Sequence, residues 1–358
     1  MSTHTATEHK FFRAIPAGTT FDFARQRFFW LAVSVILIAG SIALYQARGL
    51  TLGIEFSGGA DIQIQFDTAI STADLRAALE EGEIDGYSVQ TMEAATDLNL
   101  EKGLTAGEAA GSASPEFLIK VKATPGEEIA DTAARVRKAI EAKFGNARTS
   151  EKPEGKWEVR RQESASPAAV QELTRKGIQS ILYSAFFIFL YIVVRFAQID
   201  YASAIGYGAG AVVSLFHDVL VVFAAFVITG KEVTLPVVAA VLTVIGYSIN
   251  DTIVIFDRMR ENMQRHRGAG LWDTVNRSVN ESLSRTIITV LTVVLVLLAL
   301  FFLGGPVIHD FAFALLVGVT TGTYSSIFVA SPTYVWTTQA IRRLQRRPAG
   351  GRSRTPRV

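Results

Sequence analysis

The chain has no cysteine. Disulfides, thiolate metal sites and thiol catalysis are therefore excluded. Charge is sparse too: 19% of the residues are charged, against about 25% in an average soluble domain. The five histidines show no metal-ligand spacing. No Walker-type phosphate loop is present, because Ser57-Gly58-Gly59 lacks a following Lys-Ser/Thr and does not open a helix. There is no G-x-S-x-G, no H-E-x-x-H and no plausible triad. Nothing here points to an enzyme, a metal site or a bound cofactor. Any work the chain does draws its energy from a partner's hydrolysis or from an ion gradient.

What the chain has in excess is apolar sequence. Of its 358 residues 49% are hydrophobic, and mean hydropathy is +0.28. The apolar residues fall into blocks of about 20, the length that crosses roughly 30 Å of hydrocarbon at 1.5 Å per residue. Six blocks read as spans: 28–47, 177–196, 201–228, 235–256, 286–303 and 311–336. The first exceeds the usual apolar core of a signal peptide, about 7–15 residues, and is expected to be an uncleaved anchor. Lys10, Arg13, Arg25 and Arg27 precede it, Arg258, Arg260, Arg265, Arg267 and Arg277 follow span four, and the tail 337–358 is rich in arginine. The opposite short loops offer Lys231, balanced by Glu232, and no basic residue between Gly304 and Asp310. The positive-inside rule then predicts both termini, the tail 1–27 included, in the cytoplasm and residues 48–175 outside it. The basic tail reads as a topology and lipid-headgroup anchor, not as a nucleic-acid site.

Residues 48–175 carry 15 basic and 22 acidic side chains, a formal charge of −7. Leu50–Asp67 reads as a strand, with Ile62, Ile64 and Phe66 alternating. Ser71–Glu81 reads as a capped helix, and Tyr87–Glu93 and Glu116–Ala123 as strands. Glu127–Phe144 reads as a helix with Ile129, Ala133, Val136 and Ile140 on one face, and Trp157–Arg161 as a last short strand. The order βαββαβ predicts a ferredoxin-like α+β unit between the first two spans. Ala94–Pro115, rich in Ala, Gly, Ser and Glu, reads as a mobile insertion.

Within the spans, small residues recur every fourth position: Gly206, Gly210 and Ser214 in span three, and Ala314, Gly318, Gly322, Ser326 and Ala330 in span six. Such ridges let helix backbones approach closely. Charges are more informative, since one at a span centre costs about 2.5–3.5 kcal/mol. Asp218 follows His217 in span three, and Asp251 follows Asn250 in span four. Helical rise places the two aspartates at depths differing by roughly 9 Å. Thr243, Tyr247, Asn250, Asp251, Val254 and Arg258 form a polar stripe on span four. Arg285 opens span five, with Ser282, Thr286 and Thr289 on its face, and either snorkels or reaches back to Asp251. Asp251 is the better candidate for a proton carrier. His217 can satisfy Asp218 locally.

Five motifs in register carry a resemblance. They are Gly53-Ile54-Glu55-Phe56-Ser57-Gly58-Gly59, Phe216-His217-Asp218-Val219, Gly246-Tyr247-Ser248-Ile249-Asn250-Asp251-Thr252 continuing to Asp257-Arg258-Met259-Arg260-Glu261-Asn262, Leu283-Ser284-Arg285-Thr286, and Gly322-Thr323-Tyr324-Ser325-Ser326-Ile327. Together they resemble the SecF family, the smaller halves of SecDF protein-export accessory complexes in the resistance–nodulation–division superfamily. Glu55 stands where that family commonly has Asp. The resemblance implies a SecD partner, association with the Sec translocon in the bacterial inner membrane, and use of the proton-motive force to move exported preproteins outward. It also implies that Asp251 and Arg285 belong to the proton path. Two other readings compete: a half-size exporter of small molecules or lipids from the same superfamily, and an intramembrane aspartyl protease built on Asp218 and Asp251. The protease lacks its signature, since Ser248-Ile249-Asn250-Asp251 is not Gly-x-Gly-Asp.

Overall fold

A backbone inside hydrocarbon must satisfy its own hydrogen bonds, and a helix does so within one segment. The computed structural model describes residues 21–84, 86–92, 115–122, 129–149, 153–198 and 200–346, and among these are six helices long and apolar enough to cross a membrane. In chain order the elements are α1 (Arg27–Arg48), β1 (Thr51–Leu52), α2 (Ile54–Ser57), β2 (Gly59–Phe66), α3 (Thr72–Glu81), β3 (Tyr87–Met92), β4 (Glu116–Lys122), α4 (Ile129–Phe144) and β5 (Trp157–Ala165). There follow α5 (Pro167–Phe196), α6 (Tyr201–Thr229), β6 (Glu232–Val233), α7 (Leu235–Arg265), α8 (Leu271–Leu303), α9 (Gly305–Ser325), a π-helical segment (Ser326–Ala330) and α10 (Ser331–Arg346). Spans one to five are α1, α5, α6, α7 and α8; α9, the π segment and α10 together make span six.

The helices outrun the apolar blocks that predict them. Span four continues to Arg265, span five begins at Leu271, and the start of the basic tail, through Arg346, is still helical. A helix that has left hydrocarbon keeps its hydrogen bonds and needs only polar faces to continue. The spans form two classes. In spans three, four and six 56%, 44% and 56% of the most apolar window is buried, against 11% in spans one, two and five. Three helices thus form a core, and three flank it with faces left for lipid or a partner. The core closes through small residues. A Cβ on Gly210 would lie 2.5 Å from the Ala330 carbonyl oxygen, and one on Gly318 would lie 2.3 Å from the Val244 side chain. Gly206 faces Thr338 and Tyr334, while Gly322 faces Ser248.

The domain between spans one and two is a four-stranded antiparallel sheet in the order β3-β4-β2-β5. That order, with α3 and α4 as the two connections, is the ferredoxin-like arrangement the element pattern predicts. Alternation along β2 buries Ala60, Ile62, Ile64 and Phe66 against Leu75, Leu79, Val136 and Ile140. Ser71 caps α3 reciprocally: its Oγ accepts from Asp74 N at 3.2 Å and its own N–H donates to the Asp74 carboxylate at 3.3 Å. Two expectations need correction. Leu50–Asp67 is not one strand. The helical turn α2 interrupts it, and the chain leaves that turn through Gly58 (φ 78°) and Gly59 (φ 140°). A side chain at Gly59 would also meet the Val121 carbonyl oxygen at 2.2 Å, so the glycine pair sets the break. The last strand runs on to Ala165, because β2 offers partners along its whole length. The insertion Ala94–Pro115 lies, except for Pro115, outside the described residues.

Candidate functional site

Asp218 and Asp251 are both buried, at 1% and 4% exposure. Their surroundings differ completely. Asp218 Oδ1 sits 3.1 Å from His217 Nδ1. Its Oδ2 accepts from Ser248 Oγ at 2.7 Å and from Ser325 Oγ at 2.9 Å. One carboxylate therefore ties span three to spans four and six. A hydrogen bond to a charged group contributes about 1.5–3 kcal/mol, so three such bonds offset an insertion cost of about 2.5–3.5 kcal/mol. One turn further along, Thr252 Oγ1 and Ser326 Oγ meet at 2.8 Å where span six enters its π segment. The His217 ring stacks on Tyr324 at 5.9 Å, and Tyr324 donates to the Trp30 carbonyl of span one at 3.0 Å. His217 Nε2 is buried without a hydrogen-bond partner.

Asp251 faces span five instead. No hydrogen bond among the described residues reaches its carboxylate. Its electrostatic neighbours are Arg285 and the Tyr247 hydroxyl. Tyr247 Oη and Thr286 Oγ1 are buried and unpartnered, while Ser282 bonds back to the Ser278 carbonyl. Thr243, Asn250 and Arg285 are exposed in the isolated chain, so the polar stripe lies at an open edge of the core. Arg285 acts on Asp251 through space, without the direct pairing that reaching back would give. Span five starts earlier than its apolar block, at Leu271, and Arg285 is a full helical residue on its outer side.

Asp218 bonds Ser248, three residues before Asp251 on span four, so the two carboxyls meet span four within one helical turn of each other. The two carboxylates still make no dyad, because they look into different seams of span four.

Below the stripe, Arg258 bonds Glu261 at 2.7 Å and lies 3.7 Å from Glu281. Asn262 donates to Ser278 at 3.0 Å and to Glu281 at 2.9 Å. The Asp257–Asn262 motif thus clasps spans four and five at the basic end, one helical turn from Arg285. Ser248, Asn262 and Ser325 lie inside motifs that carry the resemblance but have no role assigned from sequence, and Glu281 lies in none of them. Ser325 is 107 residues from Asp218, and no local pattern announces such a partner. Among the described residues there is no acidic and histidine group fit to hold a metal ion.

The family described as protein export membrane protein SecD/SecF, C-terminal, matches residues 146–340, and the SecD/SecF GG motif matches residues 47–70. A protein translocase subunit SecF of Magnetococcus marinus is 41% identical over 88% of this chain and 91% of its own length. One from Vibrio alginolyticus is 35% identical over 89% of this chain and 90% of its own. The crystal structure of SecDF, a translocon-associated membrane protein from Thermus thermophilus, superposes with TM-score 0.68 at 30% identity. It covers 89% of this chain, which spans 39% of that longer chain. The chain belongs to the SecD/SecF family of protein export membrane proteins.

Proposed function

From membership in that family, we propose that the chain is a SecF-type subunit of the cytoplasmic membrane that pairs with a SecD partner and joins the Sec translocon. In this reading the sheet domain lies outside and both termini inside. The complex uses the proton-motive force to help exported preproteins leave on the outer side. Asp251 accepts and releases the proton. Arg285 stabilises its charged form, and Tyr247 and Asn250 flank the path. Asp218 and His217 lie beside the path as a fixed network.

One observation carries the reading: a buried carboxyl with no hydrogen-bond partner, beside an arginine that acts on it without pairing. A carboxyl held by two hydroxyl donors and a histidine has little reason to change charge, whereas one held by none can exchange a proton at small cost. The magnitudes agree. One charge crossing the field gains about 2.3 kcal/mol per 100 mV, and one pKa unit is about 1.4 kcal/mol. A membrane potential of ordinary size therefore suffices to load and unload such a group.

The test is export into inverted vesicles, with the gradient present or collapsed by an uncoupler. Asp251→Asn keeps size and polarity but cannot exchange a proton. It should insert and associate with SecD normally, yet lose all gradient-dependent stimulation. Asp251→Glu should keep part of it. Arg285→Gln should lose much of it, because it removes the charge that acts on Asp251 through space, whereas Arg285→Lys keeps that charge and should keep more. Undiminished gradient dependence in Asp251→Asn would show that Asp251 carries no proton.

A further inference from the structure

The sheet domain meets the bundle through a small junction. β1 and β6 pair in parallel over two residues each, and Gly53 N–H donates to the Val233 carbonyl at 2.9 Å. Beside this short ladder stands Lys120 among four carboxylates, one of which, Glu163, is paired with Arg161. Lys120, on the sheet face away from α3 and α4, forms an ion pair with Glu232 of the bundle end. Asp61, its cross-strand neighbour, lies 4.0 Å from the same ammonium. Glu163 is the cross-strand neighbour of Asp61 on the other side, and Glu55 is in the α2 turn that links span one to the sheet. Asp61 Oδ1 and Glu55 Oε2 are buried without hydrogen-bond partners. The arrangement is costly when every carboxyl is ionised: Asp61 on the sheet then opposes Glu232 on the bundle, Arg161 is engaged by Glu163, and the one Lys120 is shared by Asp61 and Glu232.

We propose that this junction is a proton-sensitive latch, which holds the sheet domain against the bundle when Asp61 is neutral and loosens when Asp61 is charged. Neutral Asp61 leaves Lys120 wholly to Glu232. Charged Asp61 competes for that ammonium and repels Glu232 across the junction. Burial pushes the Asp61 carboxyl up to about 6 from 3.8, against the pull of Lys120 and with the help of Glu232, Glu55 and Glu163. The docked state therefore binds the proton more tightly than a state with Asp61 in water. Its extra stability is complete below about 3.8 and is lost as pH rises through about 6. The latch does not depend on Asp251 carrying protons, so the two ideas can fail separately.

The natural absence of cysteine makes the measurement clean. Cysteines at Gln90, on the sheet, and Thr229, at the bundle end, are spin-labelled in the full chain in nanodiscs. A second pair at Thr229 and Leu303, both in the bundle, is the control. Between pH 8 and pH 5 the ratio of docked to undocked distances should rise by up to about tenfold if undocking returns Asp61 to its ordinary value. The control pair should not change. Asp61→Asn should show the acid-like ratio at both pH values. Glu163→Gln removes one carboxylate beside Asp61 and should move the midpoint to lower pH. A parent distribution that is the same at pH 5 and pH 8 overturns the latch, as does a full pH response in Asp61→Asn. Should Asp61→Asn fail to assemble, an unmoved midpoint in Glu163→Gln is decisive against it.

Discussion

Span four presents two seams. Ser248 and Thr252 look toward spans three and six, where Asp218, Ser325 and Ser326 answer them with hydrogen bonds. Tyr247 and Asp251 look toward span five, where the Thr286 hydroxyl is unpartnered and Arg285 stands off at the edge. Both seams bury an aspartate against span four: Asp218, contributed by span three, and Asp251, of span four itself. The difference teaches that burial alone does not mark a working carboxyl. A carboxyl whose bonds are complete is part of the frame, and one left incomplete is available to change state.

Deleting each carboxyl in turn should have the largest and most unequal effects. Asp218→Ala strips the buried acceptor from Ser248 and leaves Ser325 only the Gly322 carbonyl, and breaking a buried charged network costs about 3–5 kcal/mol. Asp251→Ala removes no hydrogen bond and should cost less than about 1 kcal/mol, in line with substitutions away from bonded networks. Denaturant unfolding of the purified chain in detergent measures both. Equal losses would mean that the two seams are the same kind of structure.

Glycines of the two seams differ in the same sense, with smaller effects. A Cβ on Gly322 would lie 2.8 Å from Ser248 Cβ, in the closed seam, whereas one on Gly246 meets nothing within 4 Å. Gly322→Ala should therefore cost about 1–3 kcal/mol by overpacking. Gly246→Ala should gain about 0.4–1 kcal/mol, because only the unfolded chain loses freedom. The same unfolding assay reads both, and a loss in Gly246→Ala would show that the open edge is already filled.

The two seams also differ in how far the sequence revealed them. The stripe from Thr243 to Arg258 stands out because polar residues at helical spacing are conspicuous among Val, Ile and Leu. The six spans were legible for the same reason, since length and hydropathy act locally. The sheet order followed from alternation and capping in a domain whose contacts obey a common pattern. The motifs contain His217, Asp218, Ser248 and Ser325, yet the bonds that tie Asp218 to the two serines were not legible. Those partners come from residues 30 and 107 positions away, and single serines in apolar helices are ordinary. The break at α2 was missed because Ile, Phe and alternating polar residues imitate a strand, while its cause is the backbone of Gly58 and Gly59. The standoff of Arg285 depends on how two helices rotate against each other, which no periodicity records.

The smallest expected effect concerns the two orphan hydroxyls of the open seam. Tyr247 Oη and Thr286 Oγ1 are buried with no partner. Leaving a buried hydroxyl unsatisfied costs about 1–3 kcal/mol, part of which returns when the oxygen is removed. Tyr247→Phe and Thr286→Val, each close in shape to the original, should leave stability unchanged or raise it by up to about 1 kcal/mol. A frame built for stability alone would not keep such groups. Tyr247, an electrostatic neighbour of Asp251, and Thr286, next in sequence to Arg285, suit a seam where a proton must be received, because a hydroxyl can both donate and accept. The same two variants should therefore reduce gradient-dependent export in inverted vesicles while folding as well as the parent. Loss of more than about 1 kcal/mol of stability would reveal that these hydroxyls are bonded, as those around Asp218 are. Export that is fully retained, together with raised stability, would mean that they are passive and that Asp251 exchanges its proton without them.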